Sequence, residues 1–266
     1  MRHRLGLQLY WRQIADWAAV GLLVLIVAIP AGLLGWLIFF TDTFAVRAVT
    51  VLDAREHTAQ ETEQLLAGTR SKNMLFIQVD LLEQEILQHL PQVRTVHIER
   101  KLPGALKVVI QEKEPRLLLL SQANYYFIDE TGAAYEEASL DRLPGVVLPT
   151  VKNTDGQAEL TLGTRVVSEE FVQFIETIDT DLPESVATPV EYRIPSLAAR
   201  EVHVLLDNNW TIRFDVTRTV KAQLSVLDRL LSGTISEEEK AALDYIDLRI
   251  PDRVFYKART PATPGE

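Results

Sequence analysis

Apolar residues are concentrated near the start of the chain, where residues 17–40 form an uncharged run of 24 residues. At about 1.5 Å per residue, a helix of this length crosses the hydrocarbon core of a bilayer, which is about 30 Å thick. The pattern therefore predicts a transmembrane helix over 17–40, in which Pro30 is a candidate kink. A cleaved signal peptide is the alternative interpretation. Its apolar region is usually about 7–15 residues long and ends at small residues, whereas this run ends at Phe39 and Phe40.

The charges on either side of this run predict its orientation. Arg2, Arg4 and Arg12 precede it with one acidic residue, Asp16, and Thr41-Asp42-Thr43 follows it. Because basic residues favour the cytoplasmic side of a membrane, residues 1–16 are expected in the cytoplasm and the chain after residue 41 outside. This is the topology of a single-pass type II protein of the cell membrane.

Residues 43–115 have the pattern of a compact α+β unit. An apolar and β-branched segment predicts a strand over 44–51. Thr58, followed three residues later by Glu61, predicts the capping box of a helix that ends near Gly68.

The rest of this unit is predicted to contain a second helix and two strands. The helix begins at Asp80 and ends before Pro91, and its expected apolar face comprises Leu81, Leu82, Ile86, Leu87 and Leu90. Alternating apolar and polar residues predict strands over 93–100 and 106–112, with a turn between them at Leu102-Pro103-Gly104. The predicted order of the unit is β-α-α-β-β.

Pro115 is the predicted boundary of a second, β-rich domain over 116–258, since the residue before a proline is pushed toward extended conformations. Its predicted strands are 116–120, 125–128 and 133–135, then a hairpin of 200–206 with 210–214 around an Asn-rich turn. Its helices are predicted to begin at Ser168, Thr217 and Ser236, the last with a capping box to Glu239. Residues 259–266 are expected to form a flexible tail.

Together these elements predict an α+β protein. It has a single N-terminal transmembrane helix, a β-α-α-β-β domain, and a β-rich domain with a mostly antiparallel sheet and flanking helices. The whole chain has a net charge of −10, with 27 basic and 37 acidic residues. Three of the basic residues and one acidic residue fall within 1–40, so the outer part keeps 24 basic against 36 acidic residues. This acidic balance argues against nucleic acid as a ligand, because phosphate binding needs clustered Lys and Arg.

The sequence offers little support for catalysis or for a cofactor. The absence of cysteine excludes disulfides, thiolate metal sites and thiol nucleophiles. The five histidines are not spaced to meet at one metal, and no nucleophile elbow or phosphate-binding glycine loop is found. Glu112 and Glu114 share a strand face and resemble an acid/base pair, which leaves a membrane-anchored enzyme acting on the cell wall as the competing hypothesis.

The order of these blocks resembles the FtsQ/DivIB family of bacterial cell-division proteins, whose first outer domain is a POTRA domain. In this chain the family's pattern is matched by Asn73-Met-Leu-Phe76, by the segment from Val93 through Arg100 and Pro103 to Glu114-Pro115, and by Asp247-Leu-Arg249. Leu102 departs from the family, which often has Trp there, and so does Phe214-Asp215, where a Leu-Gly pair is common.

This resemblance implies a non-enzymatic, bitopic scaffold at the division septum that needs no cofactor. The implied partners are FtsB/DivIC-like and FtsL-like bitopic proteins and the septal peptidoglycan synthesis machinery. An outer-membrane translocation protein is a further alternative, because POTRA domains occur there too. It is disfavoured because such proteins end in a large β-barrel, for which about 150 residues after Pro115 leave little room.

The C-terminal segment 250–257 is the predicted partner-binding site. It is apolar and β-prone and comes last, so we expect an open sheet edge to which a partner strand adds. Pro251 falls at the start of this strand, where a missing N–H costs least. The resemblance adds Arg249 and, less directly, Arg200 as basic positions beside the edge. The predicted binding residues are Arg200, Arg249, Ile250, Val254, Phe255 and Tyr256. The alternative is that Phe255 or Tyr256 packs into the domain core.

Residues 43–115 should fold without the rest of the chain, because they contain their own helix caps and apolar faces and end at an X-Pro boundary. An isolated fragment is expected to show a cooperative thermal transition by circular dichroism. A fragment that stays unfolded would contradict the boundary at Pro115.

Overall fold

A computed structural model describes residues 2–138, 148–155, 160–183, 185–251 and 253–259 of the chain. It divides the chain into two compact units, residues 1–90 with 95–111 and residues 91–94 with 112–266. The structure confirms the α+β class: an apolar N-terminal helix, a β-α-α-β-β unit and a β-rich unit. Of the predicted tail, all but Arg259 lies outside the described residues.

The first unit begins with α1, Arg2–Phe40, which continues through Pro30. Its segment Gly21–Phe40 has a mean hydropathy of 2.7, and the most apolar part of it is not buried against the rest of the chain. The helix is therefore long and apolar enough to cross a membrane. A short 3-10 turn, Asp42–Phe44, follows it.

The remainder of the first unit is a three-stranded sheet with two helices. In chain order the elements are β1 (Ala48–Leu52), α2 (Glu56–Leu65), α3 (Val79–His89), β2 (Val93–Lys101) and β3 (Ala105–Glu112). The strand order is β1-β3-β2, and β1 runs parallel to β3. The predicted order β-α-α-β-β is confirmed.

The capping box predicted at Thr58 is wrong. The N-cap of α2 is Arg55, which is in an extended conformation and lies three residues before the predicted one, so Thr58 lies inside the first turns of the helix. Thr58 and Thr62 are fully buried, and the Thr62 hydroxyl donates a hydrogen bond to the carbonyl of Thr58 at 2.7 Å. Packing of this helix face against the unit core therefore outweighs the local capping signal.

The apolar face predicted for α3 is too wide. Ile86 and Leu90 are buried and Leu82 is half-buried, but Leu81 and Leu87 are 56% and 42% exposed. At about 100° per residue, Leu81 and Leu87 lie roughly 140° and 100° around the helix from Ile86. Only residues four apart share the buried stripe, so two large leucines remain at the surface.

The second unit is built on one ten-stranded sheet. Its strands are β4 (Leu117–Ser121), β5 (Asn124–Ile128), β6 (Ala133–Ala138), β7 (Thr150–Asn153), β8 (Thr164–Arg165), β9 (Pro189–Ile194), β10 (Glu201–Leu206), β11 (Thr211–Asp215), β12 (Leu243–Asp247) and β13 (Phe255–Ala258). The order is β13-β12-β11-β10-β9-β7-β4-β5-β6-β8. Adjacent strands are antiparallel except for three parallel pairs, β11 with β12, β4 with β7 and β7 with β9. The mostly antiparallel sheet is confirmed.

Three helices flank this sheet: α4 (Glu169–Asp181), α5 (Val220–Gly233) and α6 (Glu237–Ala241). The predicted N-cap at Ser168 accepts a hydrogen bond from the backbone N–H of Phe171 at 3.1 Å. The predicted capping box of Ser236 and Glu239 is also present. Helices α4 and α5 contribute to one core with the alternate inward residues of the central strands, and Phe174 meets Phe214 edge-to-face with ring centroids 6.1 Å apart.

Gly132 is expected to tolerate no side chain. Its φ is +82°, and a Cβ there would lie 2.1 Å from the carbonyl oxygen of Val167, whereas Gly163 has the same φ with its nearest neighbour, Pro91, at 3.6 Å. Gly163→Ala should therefore cost only the left-handed backbone penalty, about 1–2 kcal/mol, and Gly132→Ala distinctly more. Chemical denaturation of the detergent-solubilised chain would measure both. Equal losses would contradict the close backbone approach at Gly132.

Candidate partner-binding edge

Strand β13 forms one end of the ten-stranded sheet. It pairs antiparallel with β12, with Phe255 opposite Asp247 and Tyr256 opposite Ile246, and its other side pairs with no strand among the described residues. Such an edge presents unpaired N–H and C=O groups to an incoming strand.

The strand predicted over 250–257 is shorter in the structure. Strand β13 begins at Phe255, Ile250 and Pro251 precede it outside any strand, and Asp252 lies outside the described residues. Because β12 ends at Asp247 and β13 returns antiparallel to it, the described residues between them belong to the connection of a hairpin. Pro251 therefore lies in the connection and not at the start of the strand.

Neither aromatic residue of β13 packs into the core. Phe255 and Tyr256 are 48% and 41% exposed, although alternation directs them to opposite faces of the sheet. Tyr256 is on the same face as Ile246, which is fully buried, but among the described residues no further strand covers Tyr256 at the sheet edge. Val254, by contrast, is half-buried and packs against the core.

Arg249 is held by two carboxylates, one at the end of β12 and one at the start of β10, the strand beyond β11. Its Nε donates to Oδ1 of Asp247 at 2.9 Å and one terminal nitrogen donates to Oδ2 at 2.5 Å. The other terminal nitrogen pairs with Glu201 at the start of β10. These contacts leave the side chain 31% exposed and fix its orientation.

The same contacts shift the pKa values of Asp247 and Arg249 in opposite directions. Burial opposes ionisation of Asp247, but the hydrogen bonds and charge of Arg249, with a smaller effect of Arg213, lower the pKa of that carboxyl below its ordinary value. The hydrogen bond to Asp247 and that to Glu201 raise the pKa of Arg249, against the effect of burial. The Arg213 guanidinium in turn lies over the Tyr245 ring, 4.2 Å from its centroid.

The structure brings three of the predicted binding residues together. Arg200, Arg249 and Ile250 line one open cavity of about 660 Å³ at the end of β10 and β11. Arg200 is exposed, and its guanidinium makes no ion pair within the described part of the chain. Phe255 lies beside Asp247 at this end of the sheet, whereas Tyr256 and Val254 do not line this cavity.

Sequence reasoning missed the acidic residues of this site. Glu201 and Asp247 orient Arg249, yet Glu201 is 48 residues away and carries no sequence signal of that role. The spacing of Asp247 and Arg249, two residues apart on one side of the chain, was the available signal for half of the cluster. Within the described residues, no group of three or more His, Cys, Asp or Glu side chains is placed to hold a metal ion.

Comparison with known proteins identifies relatives of this chain. Residues 44–113 match the FtsQ-type POTRA domain. The chain is similar to Cell division protein FtsQ of Novosphingobium aromaticivorans, with 26% identity over 198 residues, which cover 74% of this chain and 58% of the relative.

Two further relatives carry the same name. Cell division protein FtsQ of Myxococcus fulvus is 30% identical over 112 residues, which cover 42% of this chain and 38% of the relative. The protein of that name from Anaeromyxobacter sp. strain K is 24% identical over 231 residues, or 82% of this chain and 73% of the relative. The matched part of the chain thus spans 58% and 38% of the length of the first two relatives.

Asp247→Asn should destabilise the chain in a pH-dependent way. A carboxyl whose folded pKa is lowered contributes stability above its ordinary pKa of 3.8 and loses it as the pH falls through the lower folded value. We expect a loss of roughly 1–3 kcal/mol at neutral pH, which shrinks in acid. Denaturation curves at neutral and acidic pH would measure this, with the exposed Asp228→Asn as control. A loss that is constant over this pH range would contradict the ion pair.

Proposed function

We propose that the chain is a member of the FtsQ/DivIB family of cell-division proteins and acts as a non-enzymatic, bitopic scaffold of the bacterial divisome. The proposed partners are FtsB/DivIC-like and FtsL-like bitopic proteins and, through them, the septal peptidoglycan synthesis machinery. The observation that carries the proposal is the unpaired edge of β13 with its two exposed aromatic side chains.

The proposed binding mode is the addition of a partner strand beside β13. Main-chain hydrogen bonds to the unpaired edge would supply affinity, and alternate side chains would supply specificity. Proteins usually protect a free edge with charges or prolines. Of the four β13 residues only Lys257 is charged, so the apolar side chains of this strand remain available to a partner.

The charges around the edge favour an acidic segment in the partner. Arg200 is exposed beside Arg249, and a partner carboxylate that reaches their shared cavity would meet Arg200 first, because Arg249 already pairs with Asp247 and Glu201. In this proposal Arg200 attracts the partner, while Arg249 presents its remaining N–H groups in a fixed direction.

The proposed topology follows from α1. Residues 1–16 lie in the cytoplasm, residues 17–40 span the cell membrane, and both outer domains, 43–115 and 116–258, face the division septum from outside. The apolar segment Gly21–Phe40 and the positive charges before it support this arrangement. A binding role is favoured over a catalytic one because the carboxylates of Asp247 and Glu201 at the candidate site are held in ion pairs with Arg249.

Charged substitutions on β13 should abolish partner capture. Tyr256→Asp and Phe255→Asp each place a charge where the partner strand would cover the side chain, and we expect each to weaken capture at least tenfold, about 1.4 kcal/mol. The measurement is co-purification of an FtsB/DivIC-like partner with the full chain from detergent-solubilised membranes. Both side chains are exposed, so the melting temperature should fall little.

Two further variants complete this experiment. Val190→Asp is the control. The Val190 side chain is more exposed than either aromatic residue, but its strand, β9, has a neighbouring strand on both sides, so this variant should leave capture unchanged. Val254→Pro, just before β13, should abolish capture. Because Val254 packs against the core, its thermal transition must be compared with that of the unmodified chain. Unchanged capture by folded Tyr256→Asp and Val254→Pro proteins would exclude strand addition at this edge.

A further inference from the structure

The loop Asn73–Ile77 of the first unit lies against the end of α1. The side-chain amide of Asn73 donates a hydrogen bond to the carbonyl of Ile38 at 2.7 Å, and the rings of Phe39 and Phe76 stack with centroids 5.5 Å apart. Ile38 and Phe39 belong to the segment that is apolar enough to cross a membrane. The loop is therefore fixed at the level where α1 leaves the apolar phase.

Side chains donate hydrogen bonds to two carbonyls at the end of α1. The last four carbonyls of a helix have no partner within it, and an unpaired carbonyl costs most in a dry environment. The Thr41 hydroxyl donates to the carbonyl of Leu37 at 2.6 Å, and Asn73 donates to the next one, Ile38. The Oδ1 of Asn73 accepts from the N–H of Leu75 at 3.0 Å, so one side chain links the helix end to the loop.

The loop is also held from inside its own domain. Arg100 on β2 donates from Nε to the carbonyl of Met74 at 3.1 Å and from a terminal nitrogen to the carbonyl of Ile77 at 2.7 Å. Met74 is fully buried, whereas its neighbours Leu75 and Phe76 are exposed. The hydrogen bonds of Asn73 and Arg100 thus fix the loop backbone, from which Leu75 and Phe76 point outward.

Leu81 of α3 extends this apolar surface. Phe76, Ile77, Leu81 and Leu82 line one open groove of about 580 Å³ together with Asn73. Phe76 and Leu81 are 59% and 56% exposed and adjoin one another in this groove. Single exposed apolar side chains are ordinary, whereas a contiguous exposed apolar patch marks an interaction surface. Exposed Arg70 and Lys72 precede the loop and suit anionic headgroups.

We propose that Leu75, Phe76 and Leu81 form an interfacial patch that inserts into the headgroup region of the outer leaflet beside α1. This inference rests on the proposed membrane anchoring of α1. Continuity with the apolar helix identifies lipid as the occupant, because Phe76 stacks on a residue of the candidate span itself. The patch fixes the orientation of the first unit on the membrane.

The test uses the full chain, whose lack of cysteine allows single labels. Leu75→Cys and Leu81→Cys proteins carrying an environment-sensitive fluorophore are reconstituted in vesicles of equal parts phosphatidylethanolamine and phosphatidylglycerol. Both labels should shift to blue emission and be quenched by lipids brominated near the headgroup, at a depth of about 5–10 Å. The matched control is Leu87→Cys, also on α3 and also exposed, which should emit as in water.

Two further measurements separate the possible failures. A label at Leu33→Cys, inside the apolar segment, must be quenched by deeply brominated lipid; if it is not, the proposed anchoring fails, and the interfacial patch with it. If Leu33→Cys is deep but the labels at 75 and 81 match that at 87, only the patch is refuted. Shielding that occurs only when a partner protein is added would likewise overturn lipid as the occupant.

Phe76→Asp in the Leu81→Cys background supplies the last comparison. A charge in the patch should withdraw the label at residue 81 from lipid, with loss of both the blue shift and the quenching. Because Phe76 is exposed, the far-ultraviolet circular dichroism spectrum should not change. A label that stays in lipid despite Phe76→Asp would show that Phe76 does not seat the patch.

Discussion

The pairing of β13 with β12 is the interaction on which the candidate binding site depends. It is a short ladder at the end of a ten-stranded sheet, and all four residues of β13 are exposed. A strand with one neighbour and few buried contacts opens more easily than the strands inside the sheet. A partner strand on its free side would give it a second ladder and cover Phe255 and Tyr256, so binding and ordering of this edge would be coupled. The exposed side chains of β13 make this edge suitable for a partner strand. Because the same side chains bury little surface, β13 is weakly held when no partner is bound.

The ion pairs around Arg249 hold charged side chains in a fixed arrangement beside this edge. Arg249 connects the end of β12, through Asp247, to the start of β10, through Glu201, and Arg213 of the intervening β11 lies 3.9 Å from the same Asp247 carboxylate. Because positive and negative groups nearly balance, such a cluster contributes orientation and selectivity more than net attraction. The charge of exposed Arg200 is not balanced by an ion pair among the described residues. Arg200 is therefore suited to attract a partner, and Arg249 to position it.

In the first unit, side-chain hydrogen bonds to backbone carbonyls fix the position of the loop Asn73–Ile77. Asn73 binds the end of α1, and Arg100 binds the loop from the sheet side. Both residues belong to the segments on which the family resemblance rests, and the structure gives each a specific acceptor. Without these donors the carbonyls would be left unpaired close to an apolar phase, where their desolvation costs most.

The sequence by itself determined the apolar helix, the order of elements, the caps at Ser168 and Ser236, and the family resemblance, because these depend on local periodicity, on spacing and on the order of motifs along the chain. It predicted the edge at the C-terminal segment but placed its start at 250, since alternation alone does not reveal where a hairpin connection ends. Only the tertiary structure decided that Thr58 is buried inside α2, that Glu201 pairs with Arg249 and that Phe76 meets Phe39. Each of these is a contact set by packing and strand register between residues that are distant in the chain, and the local pattern of polar and apolar positions does not encode which distant residues meet.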